Sequence, residues 1–163
     1  MMKEPRLRVH VEYGALQADF AGDPEAVSRS FIDFLYKVYP SFKLAHNLVF
    51  KPDLVKLSHA LEGVIEYSSE GMILLPETLT SEEAILLSLL GVYVGNQLRF
   101  FEEAALSVND VASTSGKAPK TILNQLKGMI DDGLVERAER GKYRIKSRGI
   151  KAAEKILHEL TTR

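Results

Sequence analysis

The sequence predicts an α+β fold. A small N-terminal α+β domain with two β-hairpins leads through one long apolar helix into a C-terminal unit of short helices and a third hairpin. Three observations carry this expectation. Apolar and polar residues alternate with period two near both ends of the first 76 residues and again after residue 133. Thr80 and Glu83 form a Thr-x-x-Glu capping box in front of a run with few polar positions. Charge is also segregated: residues 1–106 hold 9 Lys+Arg against 15 Asp+Glu, whereas residues 107–163 hold 12 against 7. The net values are −6 and +5, so two functional units are expected, the second suited to a polyanion. The expected boundaries are residues 1–79 for an α+β domain serving sensing or assembly, 80–104 for the connecting helix and 105–163 for the basic unit.

Composition narrows the function classes. A chain of 163 residues with 45% hydrophobic content can build a core. The absence of cysteine removes disulfides, thiolate zinc sites and cysteine nucleophiles, and suits a reducing compartment. The segment MMKEPRLRVH has no apolar signal core. The most apolar run, residues 84–94, is shorter than the roughly 20 residues that span a bilayer, so a cytoplasmic protein without membrane contact is expected.

Each element follows from local chemistry. Leu7, Val9, Val11 and Tyr13 alternate with Arg8, His10 and Glu12; Gly14 turns the chain, and Leu16, Ala18 and Phe20 continue the pattern, which predicts a hairpin. Asp23 followed by Pro24 predicts a capped helix with Val27, Phe31, Phe34, Leu35 and Val38 as its apolar stripe, ended by Pro40. Two shorter helices are expected over residues 41–50 and 52–61, the second stopped by Gly63. VIEYSSEGMILL predicts a second hairpin that turns at Ser68 to Gly71. The long helix is expected to run to about Ala104. Its Gly91 and Gly95 could admit either the helix's own core or a helix of a second subunit.

In the last third, Ser107 caps a short helix with Val108, Val111 and Ala112 inward. Ala118 offers no side-chain acceptor, but Pro119 presets φ for a further helix. Ile122, Leu126, Met129 and Ile130 form its inward stripe; Lys120, Asn124 and Lys127 share the opposite side. Gly133 ends that helix, and the strands LVERA and KYRIK follow around Glu139-Arg140-Gly141. A final helix starts near Ser147 and Gly149, with Ile150, Ala153, Ile156, Leu157 and Leu160 apolar.

The stretch LSVNDVASTSGKAPKTILNQLKGMIDDGLVERAERGKYRIKSRG, with its DDGLVER ending, resembles the winged helix-turn-helix family, broadly of the MarR and ArsR regulator kind. The resemblance covers the C-terminal third, and the first 76 residues resemble no family. It implies a DNA-binding transcriptional regulator whose recognition helix, residues 119–132, enters the major groove while the wing meets the backbone or minor groove. The residues implied in DNA contact are Lys117, Pro119, Lys120, Thr121, Asn124 and Lys127, with Arg140, Lys142 and Arg144 on the wing.

Their chemistry is suitable. Lysines meet phosphates, threonine donates to phosphate or base, and asparagine makes paired bonds to adenine. Each also has an ordinary reading as a solvated helix or hairpin residue. The helix lacks arginine, the commonest reader of guanine, and Gly128 costs it roughly 1 kcal/mol relative to alanine. The expected partner is double-stranded DNA, bound by a homodimer whose interface comes from the long apolar helix or the last helix. The alternative is a winged helix that binds protein without reading DNA sequence.

Nothing in the sequence points to catalysis. His10, His46, His59 and His158 fall in different predicted elements, and no Walker, GxGxxG, GxSxG or HExxH motif occurs. The chain is therefore expected not to be an enzyme and to need no cofactor or metal.

Overall fold

The period-two stretches form strands and the capped apolar stretches form helices. The computed structural model describes residues 6–162 as a mixed α+β chain with small antiparallel sheets. In chain order the elements are β1 (Leu7–Tyr13), β2 (Leu16–Gly22), α1 (Pro24–Val38), α2 (Pro40–Leu48), α3 (Leu54–Leu61), β3 (Ile65–Ser68) and β4 (Gly71–Leu74). There follow α4 (Ser81–Gln97), β5 (Leu106–Ser107), α5 (Val108–Ser115), α6 (Pro119–Asp131), β6 (Val135–Arg137), β7 (Lys142–Ile145) and α7 (Ser147–Thr162). They divide into two units, residues 1–51 and 52–163.

In the first unit β1 and β2 pair antiparallel, with Tyr13 opposite Leu16 across the two-residue loop Gly14-Ala15. Gly14 has φ +61°, and glycine at the first central position is what a type II′ hairpin turn requires. Asp23 caps α1 by accepting from the Glu25 and Ala26 N–H groups at 3.1 and 3.0 Å. Phe20 on β2 meets Phe31 and Phe34 of α1 edge-on, at 5.9 and 5.5 Å between ring centres, so α1 covers the face of the hairpin that carries Val9, Val11, Ala18 and Phe20.

The second unit is organised around α4. Thr80 and Glu83 form both halves of the capping box, at 3.2 and 2.8 Å. Ala84 to Val92, with Val94 and Gly95, are all buried, because α3, α5, α6, α7, β4 and β7 pack around the helix. The close approach at the two glycines is made within the chain. A Cβ on Gly91 would lie 2.5 Å from Ile65 and Met72 of the β3–β4 hairpin, and one on Gly95 would lie 2.5 Å from Phe101. The Tyr67 hydroxyl donates to the Gly91 carbonyl at 2.8 Å, which fixes the hairpin on the helix. The second hairpin, grouped in sequence with residues 1–79, thus packs with α4 and α5 in the second unit.

Two sequence expectations are corrected. The long helix stops at Gln97 rather than near Ala104: Arg99 adopts φ 64°, the Phe100 N–H bonds the Gly95 carbonyl at 2.8 Å, and Phe101 folds back over Gly95. The Asn96 side chain holds this reversal by donating to the Phe101 and Glu102 carbonyls, both at 3.0 Å. The apolar perimeter of α4 is also not available as a dimer interface, since its own chain already covers it. Among the described residues no helix is long and apolar enough to cross a membrane.

The basic part builds on this frame. β5, β7 and β6 make a three-stranded antiparallel sheet in that spatial order, with Leu106 opposite Tyr143 and Arg137 opposite Tyr143 on its other side. Gly149 lies where α7 crosses the Leu134 backbone: an added Cβ would sit 2.2 Å from the Leu134 oxygen.

Candidate nucleic-acid interface

The helix pair α5 and α6 sets the first part of the surface. Ser107 and Asp110 form a reciprocal capping box at the start of α5, with bonds of 3.2 and 2.8 Å. Gly116, at φ +66°, closes α5 in the left-handed conformation and redirects the chain within three residues into α6. Ala118 provides no side-chain cap to α6, and Pro119 removes one of the N–H groups that would need a partner. The remaining free N–H groups and the helix dipole give this end a partial positive charge.

Ile122, Leu126 and Met129 are buried, which orients α6 and leaves Lys120, Thr121, Asn124 and Lys127 exposed. Lys120 and Asn124 are four residues apart, and Thr121 and Lys127 lie three from Asn124, so all four share one side of the helix. Neither lysine forms an ion pair among the described residues. Lys117 is placed differently. Its ammonium donates to the Leu79 carbonyl at 2.6 Å, so this lysine ties the α5–α6 turn to the segment before α4. Pro119 is exposed, and Leu123 lies open beside Asn124.

The β6–β7 hairpin supplies the second part. Its tip is a single 3-10 turn over Glu139–Gly141 in which Arg140 adopts φ 56° and Gly141 φ 71°. The Ala138 N–H closes it by bonding the Lys142 carbonyl at 2.8 Å. Alternation along β7 buries Tyr143 and Ile145 and turns Lys142 and Arg144 to the other face.

Both of those cations are compensated. Lys142 pairs with Glu103 at 2.6 Å, and Arg144 with Glu136 directly across the ladder at 2.5 Å. The Lys142 ammonium holds the Glu103 carboxyl below its usual range, and Arg140 adds to the same field.

Arg140 and Arg144 share an open cleft of about 610 Å³ with Arg137, which the sequence reading did not single out. Arg137 is exposed at the end of β6, and Glu103 and Glu139 also line the cleft. The signal for Arg137 was the hairpin itself: a residue opposite Tyr143, one step from the tip, is brought beside Arg140 by any tight turn at 138–141. Arg144 is held by Glu136, so Arg137 and Arg140 are the arginines of this lining without a carboxylate partner among the described residues, and a guanidinium of this kind can take phosphate oxygens in paired hydrogen bonds.

Two histidines serve other contacts. His10 Nδ1 lies 2.8 Å from Asp19 and His59 Nδ1 2.9 Å from Glu62. Both are local surface pairs. The side chain of His46 lies outside the described residues. Among the described residues no group of three or more His, Asp or Glu side chains is placed to hold a metal ion. The chain matches no family model, no characterised protein and no solved structure at a significant level, so this surface is read from its own residues.

Proposed function

We propose that α4 through α7 constitute a winged helix-turn-helix that binds double-stranded DNA, and that the protein is a transcriptional regulator acting as a homodimer. One observation carries the reading. The uncapped N-terminal end of α6, with exposed Lys120, Thr121, Asn124 and Lys127, is followed at once by a hairpin whose tip gathers Arg137 and Arg140. The β5–β7–β6 order supports it, because the short strand before α5 ties the hairpin to the helix pair. In this role α6 enters the major groove, Asn124 reads a base edge, the lysines meet phosphates, and the arginine cleft receives the flanking backbone.

A second reading is favoured by the ion pairs. Lys142–Glu103 and Arg144–Glu136 neutralise two of the three expected wing cations, and Leu123 is exposed in the middle of the polar side of α6. A protein-binding winged helix would have such a surface.

Ionic strength separates the two. Binding through several phosphate contacts weakens steeply as salt rises, whereas an apolar protein interface hardly responds. The paired substitution Lys120→Ala and Asn124→Ala is expected to weaken binding to duplex DNA with the circular dichroism spectrum unchanged. Unaltered affinity would remove α6 from the interface.

A further inference from the structure

The β1–β2 hairpin is a two-stranded sheet with an open edge on either side, and a strand edge of this kind is a template for pairing. Register determines which groups face outward. Tyr13 and Leu16 flank a two-residue loop and therefore form a hydrogen-bonded pair, as do Val11–Ala18 and Val9–Phe20 in the alternating ladder. The backbone N–H and C=O groups of Arg8, His10 and Glu12 then point away from β2, toward the open edge. None of the three has a backbone partner on that side among the described residues.

The sequence around His10 is complementary to itself when read in opposite directions. In an antiparallel pairing centred on His10, Arg8 of each copy stands opposite Glu12 of the other, on the solvent face. On the face that α1 covers, Val9 stands opposite Val11 and Leu7 opposite Tyr13. Those last two are the exposed large apolar residues of β1, at 37% and 58%. The outward backbone groups of His10 make the central hydrogen-bonded pair, and the two imidazoles stand opposite each other there, each beside Asp19 of its own chain at 2.8 Å; the Arg8–Glu12 pairs, apolar content and hydrogen-bond phase all select the same register. The β2 edge fails the corresponding test: centring on Asp19 sets Asp19 against Asp19 and Gln17 against Ala21.

We propose that two copies of the chain pair through the β1 edges about a two-fold axis at His10, forming a continuous four-stranded sheet in the order β2, β1, β1, β2. The interface is isologous and closed, since each β1 edge is used once. The second copy would cover part of Leu7 and Tyr13, the exposed apolar residues of β1. This pairing rests on the homodimer of the proposed function and gives it an interface, but it involves no nucleic acid, so loss of the dimer and loss of DNA binding are read by separate experiments.

The test is sedimentation equilibrium of the full chain over a concentration series, with Arg8→Glu, Glu12→Arg and the double exchange. Each single change turns both symmetry-related ion pairs into like-charge pairs and is expected to weaken the dimer roughly tenfold or more; the double exchange restores it. Circular dichroism confirms that each variant is folded. Since the chain has no cysteine, His10→Cys gives a second readout: its two copies would face each other at a separation a disulfide can span, and oxidation should yield a covalent dimer. A wild-type monomer at every concentration, a dimer indifferent to all three charge variants, or single losses that the double exchange fails to recover would each overturn the proposal.

Discussion

The two units differ in how they hold together. Residues 52–163 contain a dense interior: Leu57, Ile85, Leu86, Leu87, Leu89, Leu90, Ile122, Leu126, Met129 and Leu157 are all fully buried. Residues 1–51 bury one described side chain to a comparable degree, Val27, while Leu44 and Leu48 are 67% and 86% exposed. Their stability rests on the Asp23 cap, the Phe20–Phe31–Phe34 contacts and the hairpin ladder. A region with a filled interior can keep a surface in fixed geometry, as reading a groove demands. A region with open apolar surface and open strand edges suits assembly instead.

The largest expected effect breaks the second unit. Leu89→Ala leaves a cavity at the centre of α4 and is expected to cost about 2–5 kcal/mol in denaturant unfolding. Gly149→Ala is expected to be comparably damaging, because the new Cβ meets the Leu134 carbonyl, a backbone atom that cannot swing aside. Val27→Ala in the first unit should cost less, about 1–2 kcal/mol, because fewer atoms are removed and no other described side chain of that unit is fully buried. Equal losses at Leu89 and Val27 would contradict the contrast between the units.

A smaller effect follows pH. Burial raises the Tyr67 phenol to about 12. The unfolded chain ionises first, near 10, so this contribution is intact below that pH and is lost as pH climbs toward 12. Tyr67→Phe should remove the alkaline dependence and cost about 1 kcal/mol at neutral pH through the missing bond to Gly91. Absorbance titration at the tyrosinate band, compared between the two proteins, checks it.

The smallest effect lies at the exposed edge of the first unit. Asp19, with Glu12 assisting, raises His10 above its ordinary 6.5. The pair therefore favours the folded hairpin fully below about pH 6.5, and its contribution fades as pH rises through the folded value. Imidazole chemical shifts should titrate at lower pH in Asp19→Asn than in the wild type.

What the sequence made legible was local. Asp23, the Thr80–Glu83 box and the Ser107 cap act within three residues of themselves, so their helices begin where the composition says. Hairpin turns at Gly14 and at residues 68–71 are likewise set by near neighbours. The end of α4 was not legible, because it depends on Phe101 returning over Gly95. Nor were the partners of the cations. Lys117 meets Leu79 and Lys142 meets Glu103 across separations of 38 and 39 residues, so a count of basic residues overstates the charge left to solvent. Asn124 and Lys120 were legible because a helix face follows from spacing alone.

Those ion pairs offer a way to sharpen the functional reading. Glu103→Gln releases Lys142 and is expected to strengthen DNA binding and to steepen its salt dependence by about one phosphate contact.

The most direct test of the central claim is fluorescence anisotropy of a labelled DNA duplex titrated with the full chain at two salt concentrations, repeated with Arg137→Ala combined with Arg140→Ala. The expected result is binding at low salt that weakens steeply at high salt and is lowered at both by the double substitution. Absence of binding at low salt, or binding indifferent to both salt and the arginines, would contradict it and leave the protein-binding winged helix as the better reading.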